Sequence, residues 1–124
     1  MDKVPEVQTS ESDGIRTVTV GGEFDPDTIG SLSGTLLPVP EGCAGTVLDL
    51  ADVLFADSAF LHLLLRARQE HASVGVPLVL ARPSTAVSRL LDVTDTARAF
   101  TLAPSVPAAA ADIRTTGSRG PAPR

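Results

Sequence analysis

The sequence predicts an α/β fold, a single domain with a small mixed β-sheet and helices packed on it. The chain has 124 residues, enough for one domain with its own core. Segments with the two-residue period of a strand alternate with segments that have the period of a helix. One helical segment also joins two apolar strands, at 46–50 and 76–81, and such a crossover connects parallel strands. The predicted order is β-β-α-β-α-β-α-β.

The domain is predicted to span residues 13–103, after a flexible N-terminal segment. Residues 1–12 are polar and offer little to bury, although Val4 and Val7 leave a short edge strand open as an alternative. Residues 15–20 alternate apolar and polar side chains, which indicates a half-buried strand. The Gly-Gly pair that follows is expected to end this strand.

The first helix is predicted to start at Asp25, as its N-cap, with Pro26 at the first helical position. Pro38 and Pro40 are expected to end it, because proline cannot continue a helix. Four apolar residues share one face of this helix and are predicted to enter the core: Ile29, Leu32, Leu36 and Leu37.

The middle of the chain has the clearest periods. Residues 46–50 form a β-branched and aliphatic strand, and the apolar trend continues to Phe55. Residues 58–73 have the period of a helix, and Gly75 is a fitting terminator. His71 interrupts the apolar face of this helix. The polar residues fall on one arc: His62, Arg66, Gln69, Glu70 and Ser73.

The last third is predicted to add two strands and one helix. Residues 76–81 indicate a buried strand, and Ser84 caps a short helix that runs to Val93. Residues 99–102 are expected to form an edge strand. The Ala, Pro, Gly, Ser and Arg composition of 104–124 predicts a disordered tail.

Composition excludes several classes of function. The net charge is −5 and the chain has four Phe but no Trp or Tyr, so no nucleic acid partner is expected. Cys43 is the only cysteine and the two histidines lie nine residues apart, so no metal or other cofactor is expected. No apolar run approaches the ~20 residues of a membrane span, and the N-terminus lacks a signal-peptide pattern. We therefore expect a cytoplasmic protein without a membrane partner.

The junction at Asp57 and Ser58 is the main candidate for a functional site. A strand ends there and a helix begins, so one hydroxyl lies where free N–H groups and the helix dipole favour negative charge. A serine in this position fits three roles: a helix cap, a nucleophile or a phosphate acceptor. His62 lies one helical turn away, but the sequence has no Gly-x-Ser-x-Gly turn, so a small serine hydrolase is the remote alternative.

Three motifs, in order along the chain, resemble the STAS domain family and in particular the bacterial anti-sigma factor antagonists. Together they span roughly residues 15–102. The motifs are Gly22-Glu23-Phe24-Asp25, then Val47-Leu48-Asp49-Leu50 with Phe55-Ala56-Asp57-Ser58, and then Pro83-Ser84-Thr85-Ala86-Val87-Ser88-Arg89-Leu90-Leu91. The first is similar to Gly-Glu-Leu-Asp in the family, the second to its strand and phosphorylation loop, and the third to its third helix.

The resemblance implies a partner-switching protein that is not an enzyme. In the family, the serine after the aspartate accepts phosphate from an anti-sigma factor that is an ATP-dependent serine kinase. Here that residue is Ser58, and Asp25 is expected nearby. The unmodified chain would bind the anti-sigma factor and free a sigma factor, phosphorylation would end this, and a serine phosphatase would restore it. The implied partner-binding residues are Asp25, Asp57, Ser58, Ala59, Phe60, His62 and Arg66.

The chain departs from the family pattern directly behind the serine. The family has Asp-Ser-Ser/Thr-Gly-Leu-Gly where this chain has Asp57-Ser58-Ala59-Phe60-Leu61-His62, and it often has glycine where this chain has Asp95. Phe60 either enters the core or contacts the partner, and both interpretations remain open at this point. The second hypothesis for function is therefore a STAS interaction or scaffold module without a phosphorylation switch.

Overall fold

A five-stranded sheet with four helices forms the domain, in a computed structural model that describes residues 5–119, with side chains through residue 115. The predictions for residues 1–4 and 120–124, Val4 among them, lie outside this range. In chain order the elements are β1 (Glu6–Ser12), β2 (Ile15–Glu23), α1 (Ile29–Leu36), β3 (Gly45–Phe55), α2 (Ser58–Ser73), β4 (Leu78–Ala81), α3 (Thr85–Val93), a 3₁₀ turn (Ala97–Ala99), β5 (Thr101–Ala103) and α4 (Val106–Arg119).

The sheet is mixed, which confirms the predicted fold class. Its strands lie in the order β1-β2-β3-β4-β5, with β1 antiparallel to β2 and the other three pairs parallel. Because β2, β3, β4 and β5 are parallel, their C-terminal ends meet at one edge of the sheet. The helices that follow β2, β3 and β4 begin at that edge. It therefore collects the junction between β3 and α2.

The prediction of a flexible N-terminal segment was wrong for residues 6–12. These residues form β1, which pairs with β2 from Glu6↔Gly21 to Ser12↔Ile15. Asp13 and Gly14 connect the two strands with φ of 55° and 80°, the positive values of a two-residue hairpin turn. The turn positions β1 against β2, although the polar composition of β1 alone does not favour an ordered strand.

The prediction of a disordered tail was also wrong, because residues 106–119 form α4. Ser105 begins this helix by accepting a hydrogen bond from the Ala108 N–H at 3.1 Å. Ala109 and Ile113 are buried against the sheet, and Gly45 leaves room for the isoleucine. Few but closely packed contacts thus order a segment that is poor in large apolar side chains.

Several boundaries differ from prediction: β4 begins at Leu78 instead of residue 76, and β5 spans Thr101–Ala103 instead of 99–102. Two others differ for local reasons. Strand β2 continues through the Gly-Gly pair to Glu23, with a register shift between Thr19 and Gly21 instead of an end. Helix α1 begins at Ile29, because Asp25 caps a preceding turn and not the helix itself. The carboxylate Oδ1 of Asp25 accepts hydrogen bonds from the N–H groups of Asp27 at 2.9 Å and Thr28 at 3.0 Å.

The sheet has a core on each face. The larger core lies under α1, α2 and α3 and contains Leu48 and Leu50 of β3. The smaller core lies under α4 and contains Val47, since successive strand residues point to opposite faces. Within residues 5–119, no helix combines the length and the apolarity that crossing a membrane requires.

Candidate functional site

The β3–α2 junction lies at the C-terminal edge of the sheet and presents one hydroxyl to solvent. Strand β3 ends at Phe55 and α2 begins at Ser58, which is exposed. The N–H of Phe24 donates to the Phe55 carbonyl at 3.1 Å, so the end of β2 is fastened to the end of β3. This bond brings the segment that carries Asp25 to the same edge as Ser58.

Asp57, and not Ser58, caps α2. Its Oδ1 accepts hydrogen bonds from the N–H groups of Ala59 at 3.0 Å and Phe60 at 3.4 Å. Its carbonyl accepts from the Leu61 N–H at 3.1 Å and so closes the first turn. The Ser58 hydroxyl makes no hydrogen bond to the part of the chain that the structure describes. It is therefore free for a partner or for modification.

Phe60 belongs to the core, so its prediction as a partner contact was wrong. Its side chain is fully buried, as is that of Phe24. The two rings lie 5.6 Å apart between centroids at an interplanar angle of 46°, within the range of favourable aromatic pairs. Ala59 is half-buried beside it. The aromatic pair anchors the start of α2 and leaves Ser58 as the exposed residue of this turn.

Ser58, His62 and Arg66 form an exposed stripe along α2. Residues four apart lie on the same side of a helix, and all three are exposed. The predicted polar arc therefore faces solvent and continues from the hydroxyl along the helix. His71, further along α2, is instead buried. The helical period of the sequence placed it on the apolar face but did not show how deeply it is buried.

Sequence interpretation missed two exposed apolar residues next to the junction. Leu54 and Phe55 are 54% and 47% exposed, high values for large apolar side chains. The apolar run before Asp57 was the signal, but alternation alone would expose only one of two consecutive residues, and the register of β3 against β2 shifts at this point. The exposed carboxylates of the same edge are Glu23, Asp27 and Asp52.

Arg82 was also missed and lies at the end of the neighbouring strand. Its Nη2 and Nε donate to Asp49 Oδ2 at 2.7 Å and Oδ1 at 3.1 Å, and this carboxylate raises the pKa of Arg82. Its backbone adopts a positive φ of 50°. An open groove runs from here to Leu54 and to the start of α3, where Ser84 accepts from the Val87 N–H as predicted.

The geometry gives no support to a nucleophilic role for Ser58. The N–H groups that would stabilise an oxyanion, those of Ala59 and Phe60, already bind the Asp57 carboxylate. His62 has no orienting hydrogen bond to any residue that the structure describes. No three His, Cys, Asp or Glu side chains come together as a metal site within the described residues.

Replacing Asp57 with alanine is expected to lower the free energy of unfolding by about 0.5–2 kcal/mol, because two N–H groups of α2 lose their acceptor. Urea denaturation followed by circular dichroism measures this difference. Asp27→Ala is the matched control, since Asp27 is an exposed carboxylate of the same edge. Equal losses in the two variants would contradict the capping role.

Comparison with known proteins agrees with the fold. A family model described as "Mlab, STAS domain" matches residues 7–104. No curated protein sequence matches the chain at a significant level.

Several solved structures are similar to this chain, among them the following three. An anti-sigma factor antagonist from Mycobacterium paratuberculosis shares 26% identity, with 89% of this chain and 94% of that chain covered and a TM-score of 0.74. The protein TM1081 from Thermotoga maritima shares 19%, with 87% and 94% covered and a TM-score of 0.79. The anti-sigma factor antagonist SpoIIAA, in its unphosphorylated form, shares 16%, with 90% and 98% covered and a TM-score of 0.71.

Proposed function

The chain belongs to the STAS domain family, and from this premise we propose that it is an anti-sigma factor antagonist controlled at Ser58. In its unmodified form it binds an anti-sigma factor of the serine-kinase type and so frees a sigma factor. The observation that carries the proposal is the exposed, unbonded hydroxyl of Ser58 behind the Asp57 cap. The likeness to the mycobacterial antagonist, at 26% identity, supports the choice of partner.

The position of Ser58 explains how a phosphate would act as a switch. A phosphate adds about 1.5 to 2 negative charges at neutral pH. The nearest helix N–H groups already donate to Asp57, so the phosphate gains no local hydrogen-bond donor and meets a carboxylate instead. A partner surface that fits a neutral hydroxyl would then face an unpaired charge. A loss of about 1.4 kcal/mol or more lowers affinity at least tenfold.

The surroundings of Ser58 suggest the chemistry of the partner surface. Leu54 and Phe55 offer apolar contact, and the helix stripe of His62 and Arg66 extends the same region. Carboxylates flank these residues, at Asp25 and Asp57 among others. An anti-sigma factor surface with basic side chains opposite the carboxylates, and with apolar and neutral groups opposite Leu54, Phe55 and the Ser58 hydroxyl, would complement this edge.

The second candidate is a STAS interaction module without a phosphorylation switch. It is favoured by the residues directly after Ser58, where Ala59 replaces a hydroxyl and the buried Phe60 replaces a glycine of the family pattern. This first turn is stiffer and bulkier than the family pattern. Partner binding at the same edge would be common to both candidates.

Ser58→Asp is expected to bind the anti-sigma factor at least tenfold more weakly than the unmodified chain, because the added charge meets a surface shaped for a hydroxyl. Ser58→Ala should bind within about threefold, since only one hydroxyl is lost. The measurement is capture of the anti-sigma factor from an extract of the source cells, its identification by mass spectrometry, and titration with the purified partner. Incubation with that partner and ATP should add one phosphate to Ser58.

Ser73→Asp provides the control, because it places the same charge at the other, exposed end of α2. It should bind like the unmodified chain. If Ser58 takes up no phosphate and Ser58→Asp still binds, the switch is wrong and the scaffold candidate replaces it. If the unmodified chain captures no anti-sigma factor, both candidates for this partner fail.

A further inference from the structure

A network of buried polar groups lies at the opposite edge of the sheet from Ser58. It consists of Arg16 on β2, Thr46 at the start of β3 and His71 near the end of α2, which are 6%, 0% and 1% exposed. His71 Nε2 lies 2.8 Å from Thr46 Oγ1, and that oxygen accepts from Arg16 Nε at 3.3 Å and Nη2 at 3.2 Å. Neither the partner edge nor its proposed switch uses these groups.

The contacts fix where each proton lies. His71 Nδ1 is 2.7 Å from the carbonyl oxygen of Ala67, which can only accept, so Nδ1 carries the hydrogen. Nε2 of a neutral ring is then an acceptor, and the Thr46 hydroxyl donates to it. Arg16 supplies the donors that Thr46 Oγ1 accepts. Thr46 thus accepts from Arg16 and donates to His71, so the hydrogen bonds between these three side chains run in one direction.

The network of Arg16, Thr46 and His71 ties two helices, α1 and α2, to the sheet. Besides its bonds to Thr46, Arg16 donates from Nη1 to the Thr35 carbonyl at 2.9 Å and from Nη2 to the Leu36 carbonyl at 3.1 Å. These carbonyls end α1, where a cation is favourable to the helix dipole. Through Thr46, the end of α1 is therefore connected to the end of α2.

A proton on His71 is incompatible with this arrangement. Nε2 would become a third donor to Thr46 Oγ1, and the hydroxyl hydrogen would lose its acceptor. Burial lowers the pKa of His71, and the nearby charge of Arg16 lowers it further, whereas the Ala67 carbonyl and Glu70 oppose the shift. The remaining groups that face this cluster are the Cys43 thiol, 3.9 Å from Thr46 Oγ1, and Arg68, which shares a surface depression with His71. Neither of these groups is a carboxylate that would stabilise a proton on His71.

We propose that Arg16, Thr46 and His71 form a proton-sensitive latch that holds the ends of α1 and α2 on the sheet and opens when His71 takes up a proton from solvent. The latch is independent of the phosphorylation proposed for Ser58, which lies at the other end of α2. It makes the domain, and with it the presentation of α2, sensitive to mild acidification.

The direction of the pH effect follows from the lowered pKa of His71 in the folded chain. Above the ordinary histidine pKa of about 6.5, neither the folded nor the unfolded chain holds this proton, and the latch contributes fully. As the pH falls from 6.5 towards the folded pKa, the unfolded chain is protonated first and stability is lost. The loss reaches at most about tenfold in the folding equilibrium constant per pH unit, because one proton is involved.

The test measures urea unfolding between pH 5 and pH 8 for the full chain, His71→Gln and His62→Gln. The matched control, His62→Gln, removes the other histidine, an exposed one on the same helix, and should lose stability on acidification like the unchanged chain. His71→Gln should lose less over the same interval. Amide hydrogen exchange of the unchanged chain is compared at each pH with the rate of an unstructured amide at the same pH, and the ratio is the protection factor. On acidification the protection factors should fall at the ends of α1 and α2, whereas the Asp57-capped start of α2 should keep its protection.

A direct titration of the unchanged chain keeps the proposal falsifiable if His71→Gln fails to fold. Imidazole nitrogen chemical shifts should show His71 neutral at pH 7, with hydrogen on Nδ1, and half-protonated below pH 6.5. A midpoint at or above 6.5 would overturn the latch. So would acid-induced loss of stability that is equal in all three chains, or a loss of protection spread evenly over α2.

Discussion

Phe60→Ala is expected to lower the free energy of unfolding by about 3–5 kcal/mol, the usual range for removing a fully buried phenylalanine. The loss has two sources. The side chain leaves a cavity in the larger core, and Phe24 loses the ring that lies 5.6 Å from its own. Alanine has a higher helix propensity than phenylalanine, but this gain offsets only a small part of the loss of stability. Urea denaturation with a two-state fit gives the difference.

Phe55→Ala is the matched control, because it removes the same side chain five residues earlier, where 47% of it is exposed. We expect a loss of about 1 kcal/mol or less, as for other surface substitutions. Comparable losses at the two positions would show that Phe60 is not a core residue. A loss of anti-sigma factor binding in Phe55→Ala, with stability retained, would assign the exposed ring to the partner surface.

Phe24 and Phe60 also show where sequence reasoning stops. Each departs from the family pattern, which has leucine before the aspartate of the first motif and glycine in the turn behind the serine. The structure shows that the two departures meet, since the larger residue at one position packs on the larger residue at the other. A single sequence places each ring on an element, but the contact between them depends on how β2 and α2 lie together.

The middle of the fold was predictable because local and long-range preferences agree there. The helix predicted at 58–73 was confirmed to the residue, since Asp57 is a strong cap and Gly75, with φ of 72°, suits a helix end. The predicted start of α1 at Asp25 was wrong, because an aspartate can cap a turn as well as a helix. Asp25 caps a turn. The exposure of Ser58 followed from the same cap that fixed α2.

The N-terminal hairpin carried a local signal that its polar composition concealed. Asp13-Gly14 is a preferred pair for a two-residue turn, and it stands directly before a strand. Asp95 is a related case, since it adopts a φ of 56° at the position where the family often has glycine. In both places backbone conformation, rather than burial, decides the residue type.

One of the contacts that order α4 is revealed by no sequence pattern. Ile113 is 2% exposed and lies over Gly45, so that a Cβ added to the glycine would be 2.5 Å from Cγ2 of the isoleucine. The two residues are far apart in the chain. The composition of 104–124 suggested a tail, because one isoleucine and several alanines promise little burial without a matching gap in the sheet.

Ile113→Ala is expected to lower the free energy of unfolding by about 2–5 kcal/mol, as for other buried isoleucines. Gly45→Ala should lower it by about 1–3 kcal/mol, because the added methyl group overlaps Ile113. In the double variant the overlap is gone and the methyl group fills part of the cavity. The two losses should therefore not add, and the double variant should be at least as stable as Ile113→Ala.

Urea unfolding of the unchanged chain, the two single variants and the double variant measures the coupling between the two positions. Ala111→Gly, at an exposed position of α4, separates the effect of helix propensity from that of packing. Additive losses, or an Ile113→Ala chain as stable as the unchanged one, would mean that α4 does not pack on the sheet.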